Sequence, residues 1–269
     1  MKTILIILLS ICAAIGQPFS FNDQAFMAKI STPAASGNPT PILWWKLADG
    51  SGTTLSDSSG NGHTGTLLGS PIPVWITGTN SNSALSCEIN TNNTSTAYAA
   101  ETDTVSAIGG SQHASLTGWL FCANGTIDYS SFGFQTNTAF TANFQCAWNA
   151  NEQVTYVIVG NGSLADGTFN TGSASGWHFL AVTYDGTQGT ANNRVVAYFD
   201  AVAQTLSYTG TFPTTLPTTA SLGGMSIAQG AGGDGPGGFY YGGAYQDLRL
   251  FAVTLTQAQV TSIYNAGAQ

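Results

Sequence analysis

From residue 42 onward, apolar side chains recur at alternate positions in short runs, and clusters of Gly, Asn and Asp separate the runs. A period of two sends successive side chains to opposite faces of a pleated strand, so this spacing predicts a chain made of β-strands. Residues 42–47, Ile-Leu-Trp-Trp-Lys-Leu, read as a first core strand. Leu85, Cys87 and Ile89 fall on one face; Leu116, Leu120 and Cys122 share a face, and Trp119 and Phe121 share the other. Phe144, Cys146 and Trp148 alternate, and a stronger strand follows at 154–159. Residues 177–184 are apolar on both faces, the pattern of a central strand with a further layer over it. Residues 194–200 and 245–251 read as the last two strands. Helical spacing occurs at the end alone: Thr256 and Gln259 have the form of a capping box, and Val260, Ile263 and Tyr264 recur on one face. A helix of about two turns ending near Gly267 is predicted.

The segments outside this pattern divide the chain. Residues 1–16 carry Lys2, the apolar run Ile4 to Leu9 and small residues at the end, which reads as a secretory signal peptide cleaved after Gly16. Its apolar run is too short to span a bilayer, and no other segment has that length. Residues 17–41 lack periodicity and end rich in Pro, Ser and Gly, as a linker or N-terminal arm does. Residues 42–269 form the domain. Within it, residues 223–243 are dense in glycine and read as a long loop, with no phosphate-cradling motif and no helix after them.

Composition narrows the function classes. Charged residues are 7% of the chain, against roughly 25% in ordinary soluble proteins. Removing Lys2 with the leader leaves Lys29, Lys46, Arg194 and Arg249 against 13 carboxylates. Such a surface cannot gather phosphates or anionic lipid heads, which argues against nucleic acid and membrane partners. It leaves neutral hydrogen-bonding ligands such as glycans, or an extracellular protein assembly. Cys87, Cys122 and Cys146 remain after the leader, and Cys122 with Cys146 is the preferred disulfide.

Five stretches in order resemble one family. Residues 45–67 read W-x-L-x-x-G-S-G-T-x-x-x-D-S-S-G-N-G-H-x-G-T-L, and Ala84-Leu85-Ser86 and Leu116 to Leu120 follow. Gly176-Trp177-His178-Phe179-Leu180-Ala181-Val182-Thr183-Tyr184-Asp185-Gly186 comes next, and residues 243–264 close the set. Together they resemble the laminin-G-like, concanavalin A-like lectin and glucanase modules of secreted bacterial proteins. The resemblance covers about residues 42–266. It implies an all-β, two-sheet antiparallel jelly-roll sandwich with one short C-terminal helix, in which the opening and closing strands lie side by side. The Asp-Gly turn usual in the family is Asp200-Ala201 here.

Candidate chemistry follows from residues and resemblance together. The loop 57–63 holds two glycines, an Asn and a carboxylate, which suits either an Asx-type turn capped by Asp57 or a loop whose carbonyls face a hard cation. Carried over from the family, a structural Ca²⁺ would be held by Asp57, Gly60, Asn61, His63 and Asp247, with Gln246 standing where the family often has a second carboxylate. Exposed aromatics for sugar stacking would come from Trp75, Trp148, Phe239, Tyr240 and Tyr241. Catalysis is not expected. A retaining glycosidase needs two carboxylates about 5 Å apart, and the nearest pattern, Glu101-Thr102-Asp103-Thr104-Val105-Ser106, has Ser106 where the second acid belongs. There is no G-x-S-x-G, and His178 reads as a satisfied core histidine. The resulting expectation is a secreted or cell-surface recognition or adhesion module, with a neutral or uronic glycan as first partner and extracellular protein assembly as the alternative.

Overall fold

A computed structural model describes residues 37–79, 83–87, 98–101, 106–122, 129–135, 142–149, 154–172, 174–218, 224–227 and 243–269. In chain order its strands are β1 (Leu43–Trp45), β2 (Thr54–Leu55), β3 (Gly65–Leu68), β4 (Val74–Thr77), β5 (Ser83–Cys87) and β6 (Tyr98–Glu101). Then come β7 (His113–Cys122), β8 (Tyr129–Gln135), β9 (Ala142–Asn149), β10 (Val154–Asn161), β11 (Asp166–Asn170) and β12 (Gly176–Asp185). The series ends with β13 (Val195–Phe199), β14 (Val202–Ala203), β15 (Ser207–Thr209), β16 (Met225–Ile227), β17 (Gly243–Phe251) and the helix α1 (Gln257–Ala266).

The strands make two antiparallel sheets. One is eight-stranded, ordered β14-β13-β12-β7-β17-β5-β4, with β1 also on β17; the other is nine-stranded, ordered β15-β11-β10-β9-β8-β16-β6-β3-β2. The opening strand lies against the closing one, Leu43 opposite Leu250 and Trp45 opposite Leu248, as the resemblance implied. Between the sheets sits a core that includes Trp45, Leu116, Leu120, Phe132, Phe134, Phe144, Trp148, Tyr184 and Tyr245, all nearly closed to water. Burial of each such side chain contributes roughly 1.5–3 kcal/mol.

The doubly apolar strand β12 finds a layer on each side. Leu180, Val182 and Tyr184 face the inter-sheet core, while Phe179 and Ala181 face outward into a second cluster with Val260 and Ile263 of α1. The helix thus covers the outer face of the eight-stranded sheet, and Tyr264 stacks on Trp119 at a centroid distance of 5.5 Å. Its capping box is formed: the Thr256 hydroxyl accepts from the Gln259 N–H, and the Gln259 side chain accepts from the Thr256 N–H. The helix has 10 residues, nearly three turns, and ends at Gly267.

Three sequence expectations change, and a turn is defined. Trp148 is 0% exposed and belongs to the core rather than to a ligand surface, because it lies on the same face of β9 as Phe144 and Cys146. Cys146 is a buried free thiol, so the expected Cys122–Cys146 disulfide is not made; β7 and β9 lie in different sheets. Residues 225–227, placed in the long loop, form β16, because Met225 and Ile227 have core to fill beside β8. The Asp200-Ala201 turn takes positive φ at both residues without a glycine, 49° and 61°. Asp200 supports it by accepting from the Phe179 N–H and by binding the His178 ring at 2.7 Å. Phe239, Tyr240 and Tyr241 lie outside the described residues.

Candidate functional site

Two places gather polar side chains, one on each sheet. The first is the junction of β1 and β17. Trp44 joins the two carboxylates singled out in the sequence: its backbone N–H donates to Asp57 Oδ1 at 3.0 Å, and its indole N–H donates to Asp247 Oδ1 at 2.6 Å. Asp57 also accepts from the Ser59 N–H at 2.9 Å, the Ser59 hydroxyl at 2.7 Å and the His63 N–H at 2.9 Å. Burial alone would raise its carboxyl, but the donors from Ser59, Trp44 and His63 outweigh that and hold it below the ordinary value. Two neighbouring carbonyls also have donors. The Ile42 carbonyl accepts from the Asn61 amide, and the His63 carbonyl accepts from the Trp45 indole at 2.7 Å.

Asp247 owes its place to a break in the ladder. The register of β17 against β7 shifts between Gln246 and Arg249, and Asp247 takes φ of 54° at the bulge. Its carboxylate receives a two-pronged Arg249 guanidinium, Nε at 2.9 Å and Nη2 at 2.7 Å. Asp247 is 2% exposed and Arg249 8%. The Arg249 guanidinium and the Lys46 ammonium lie 4.4 and 4.5 Å from the Trp44 ring centre.

These residues do not fit a calcium ion. A cation needs carboxylate and carbonyl lone pairs turned toward it, whereas N–H and O–H donors point at Asp57 and a guanidinium cation holds Asp247. Asp57, Asn61 and His63 form an Asx-type turn that fastens β1. Gly60 provides φ of 87° within it. Among the described residues, no cluster of three His, Cys, Asp or Glu could hold a metal.

The second place was not singled out in the sequence. Antiparallel register carries one unbroken row across all nine strands of the second sheet: Thr54, Thr66, Ala100, Ser226, Gly133, Gln145, Ile158, Asp166 and Thr209, each opposite the next. The row lies on the outer face, since the core-facing residues Leu55, Leu67, Ile227, Phe132, Phe144 and Val157 alternate with it. Its ends, Thr54, Thr66 and Thr209, are exposed, and its middle is closed: Ser226 is 4% exposed and Gln145 3%. Beside it on β9 lies Asn143, 0% exposed, with Gly160 opposite. Ser131, Ala147 and Tyr156 form the next row over.

Several of these polar atoms have no partner. Both amide atoms of Asn143, Gln145 Oε1, Ser131 Oγ and Asp166 Oδ1 are buried without a hydrogen bond. An unsatisfied buried amide costs about 1–3 kcal/mol, so this group of atoms on one face marks it as the place to look for a hydrogen-bonding partner. Gly133 keeps β8 close: a Cβ there would meet the Gln145 Cα at 2.6 Å. The signal available in the sequence was the polar half of the β9 alternation, where Asn143 and Gln145 are amides.

The remaining candidates are ordinary. Trp75 lies on the core-facing side of edge strand β4, packed against the core, with its indole donating to the Gly52 carbonyl at 3.0 Å. Burial pushes the Cys146 thiol well up, away from nucleophilic use. Glu101 ends β6, and Ser106 begins a separate 3-10 turn.

No protein-family model matches the chain, and no curated protein matches it in sequence. Solved structures do. The receptor-binding domain of botulinum neurotoxin type G superposes with a TM-score of 0.55 at 11% identity, covering 85% of this chain and 51% of that one. The binding domain of botulinum neurotoxin DC matches in its complex with SialylT, with a TM-score of 0.56 at 12% identity over 85% of this chain and 52% of that one. The same domain in complex with rat synaptotagmin II gives 0.55 and 12% over 85% and 52%. The chain therefore spans about half the length of the structures it matches. What these likenesses share with this chain is the fold, a two-sheeted antiparallel β-sandwich.

Proposed function

We propose that this chain is a non-catalytic recognition module of the laminin-G-like, concanavalin A-like kind, secreted or held at the cell surface, and that it binds carbohydrate on the outer face of the nine-stranded sheet. One observation carries the reading: the buried, unpartnered amide of Asn143 and amide oxygen of Gln145, beside the hydroxyl of Ser226 and the carboxylate of Asp166 on the same face. Asn and Gln offer donors and acceptors together, which is what sugar hydroxyls need. Tyr156, half-buried in the next row, adds an aromatic face. The signal-like residues 1–16 support secretion, and the likeness to receptor-binding domains is compatible with a binding role. An immobilised oligosaccharide panel probed with wild type and Gln145→Met tests it. Wild-type binding that the substitution removes is the expected result; an empty panel contradicts it.

A second reading has its own observation. Edge strand β4 and the residues before it expose Ile72 at 47%, Val74 at 47% and Ile76 at 38%. An uncharged apolar edge favours pairing with another protein strand. Size-exclusion chromatography of wild type against Val74→Lys checks this: a larger species lost in the variant supports it, and two monomers oppose it.

A further inference from the structure

We propose that this face accepts uncharged glycans and rejects sialylated or uronic ones; the proposal rests on the carbohydrate reading above. The ground is where the cations are. Residues 37–269 contain three, Lys46, Arg194 and Arg249, so no further cation is present in that stretch to serve an anionic sugar. Each of the three is committed elsewhere. Lys46 lies over the Trp44 ring, beside the eight-stranded sheet. Arg249 is bound in two-pronged fashion to Asp247 on β17 of that same sheet. Arg194 ends a 3-10 turn before β13, with its guanidinium on the carbonyls of Gln188 and Phe212.

The row itself has the opposite sign. Its one ionisable side chain is Asp166, whose Oδ1 is buried without a hydrogen bond. A sugar carboxylate entering there would leave its water, meet no guanidinium or ammonium among the described residues, and face a like charge. Rejection by an uncompensated charge is a common source of specificity. A neutral sugar loses nothing by the absence of cations, since hydroxyls pair with amides, hydroxyls and a carboxylate alike. The ligand class is thus narrower than neutral or uronic glycan together, and it differs from what the complex with SialylT suggests for its own domain.

The experiment compares matched pairs on the full chain: neutral oligosaccharides that bind in the panel, each against the same backbone carrying a sialic acid or a C6 carboxylate. At low salt the neutral member is expected to bind at least about tenfold more tightly, and Asp166→Asn to narrow the gap between the two members several-fold. Equal or tighter binding of the acidic member overturns the proposal and leaves the carbohydrate reading standing. A panel that yields no neutral binder overturns both. An unchanged gap in Asp166→Asn removes Asp166 from the account and contradicts the electrostatic argument.

Discussion

Arg249 and Asp247 illustrate how much one pair decides. With Asp247 nearly closed to water, the two parallel hydrogen bonds from Arg249 are what keep a carboxylate there. Removing one partner of a buried pair costs about 3–5 kcal/mol. Arg249→Met is therefore expected to lose about that much in urea unfolding, Arg249→Lys to recover only part, and Asp247→Asn added to Arg249→Met to recover some; a loss below about 1 kcal/mol would show the pair to be solvated. Two other residues set the pH range. The hydrogen bond from the His178 ring to Asp200 raises the His178 value, burial opposes it less strongly, and the Asp200 charge adds to the rise. A raised value stabilises fully below the unfolded value of 6.5 and is lost as pH climbs through the folded one. Asp57, held low, stabilises above its unfolded value of 3.8 and loses this as pH falls through the lower folded value. The melting midpoint is thus expected to be highest between the two. His178→Gln should flatten the upper limb and Asp57→Asn the lower; identical pH profiles for wild type and variants would contradict both assignments.

At the scale of elements, the helix and strand β9 differ in how far the sequence revealed them. The Thr256–Gln259 capping box and the spacing of Val260 and Ile263 are local, so α1 was legible, and Thr256→Ala is expected to cost about 1 kcal/mol in thermal or urea unfolding. Gly133→Ala should cost more than that, because its Cβ has only the β9 backbone to push against. In β9 the alternation of Phe144, Cys146 and Trp148 already assigned Trp148 to the apolar face, so reading it as a ligand contact set its residue type above its position. What a period of two cannot tell is which strands stand side by side. Asn143 and Gln145 therefore read as the solvent half of one strand, and the row through Ser226, Gly133 and Asp166 emerges only from long-range pairings such as that of Ser226 with Gly133, 93 positions away in the chain. The Asp57 loop was legible in type but not in role: Gly, Asn and Asp fit a turn and a cation loop equally, and the direction of the N–H donors decides between them.

For the whole molecule, internal cations and turns hold the opening strand to the closing one. Neither chelation nor added Ca²⁺ is expected to move the melting midpoint, and a shift of several degrees on adding Ca²⁺ would reinstate a bound ion. The two sheets then divide the labour. Part of the eight-stranded sheet's outer face is apolar and covered by α1, while the described row on the other sheet's outer face carries polar side chains with unpartnered atoms. A structural amide and a ligand-binding amide differ in one measurable respect: an unpartnered amide destabilises the free protein, so an apolar isostere relieves the cost while removing the contact. The decisive measurement is the melting midpoint of Asn143→Leu with Gln145→Met, taken beside its binding to the oligosaccharides that wild type retains. The expected result is a midpoint unchanged or raised with binding lost. A lowered midpoint with binding intact would make the amides part of the framework and the outer face something other than the site.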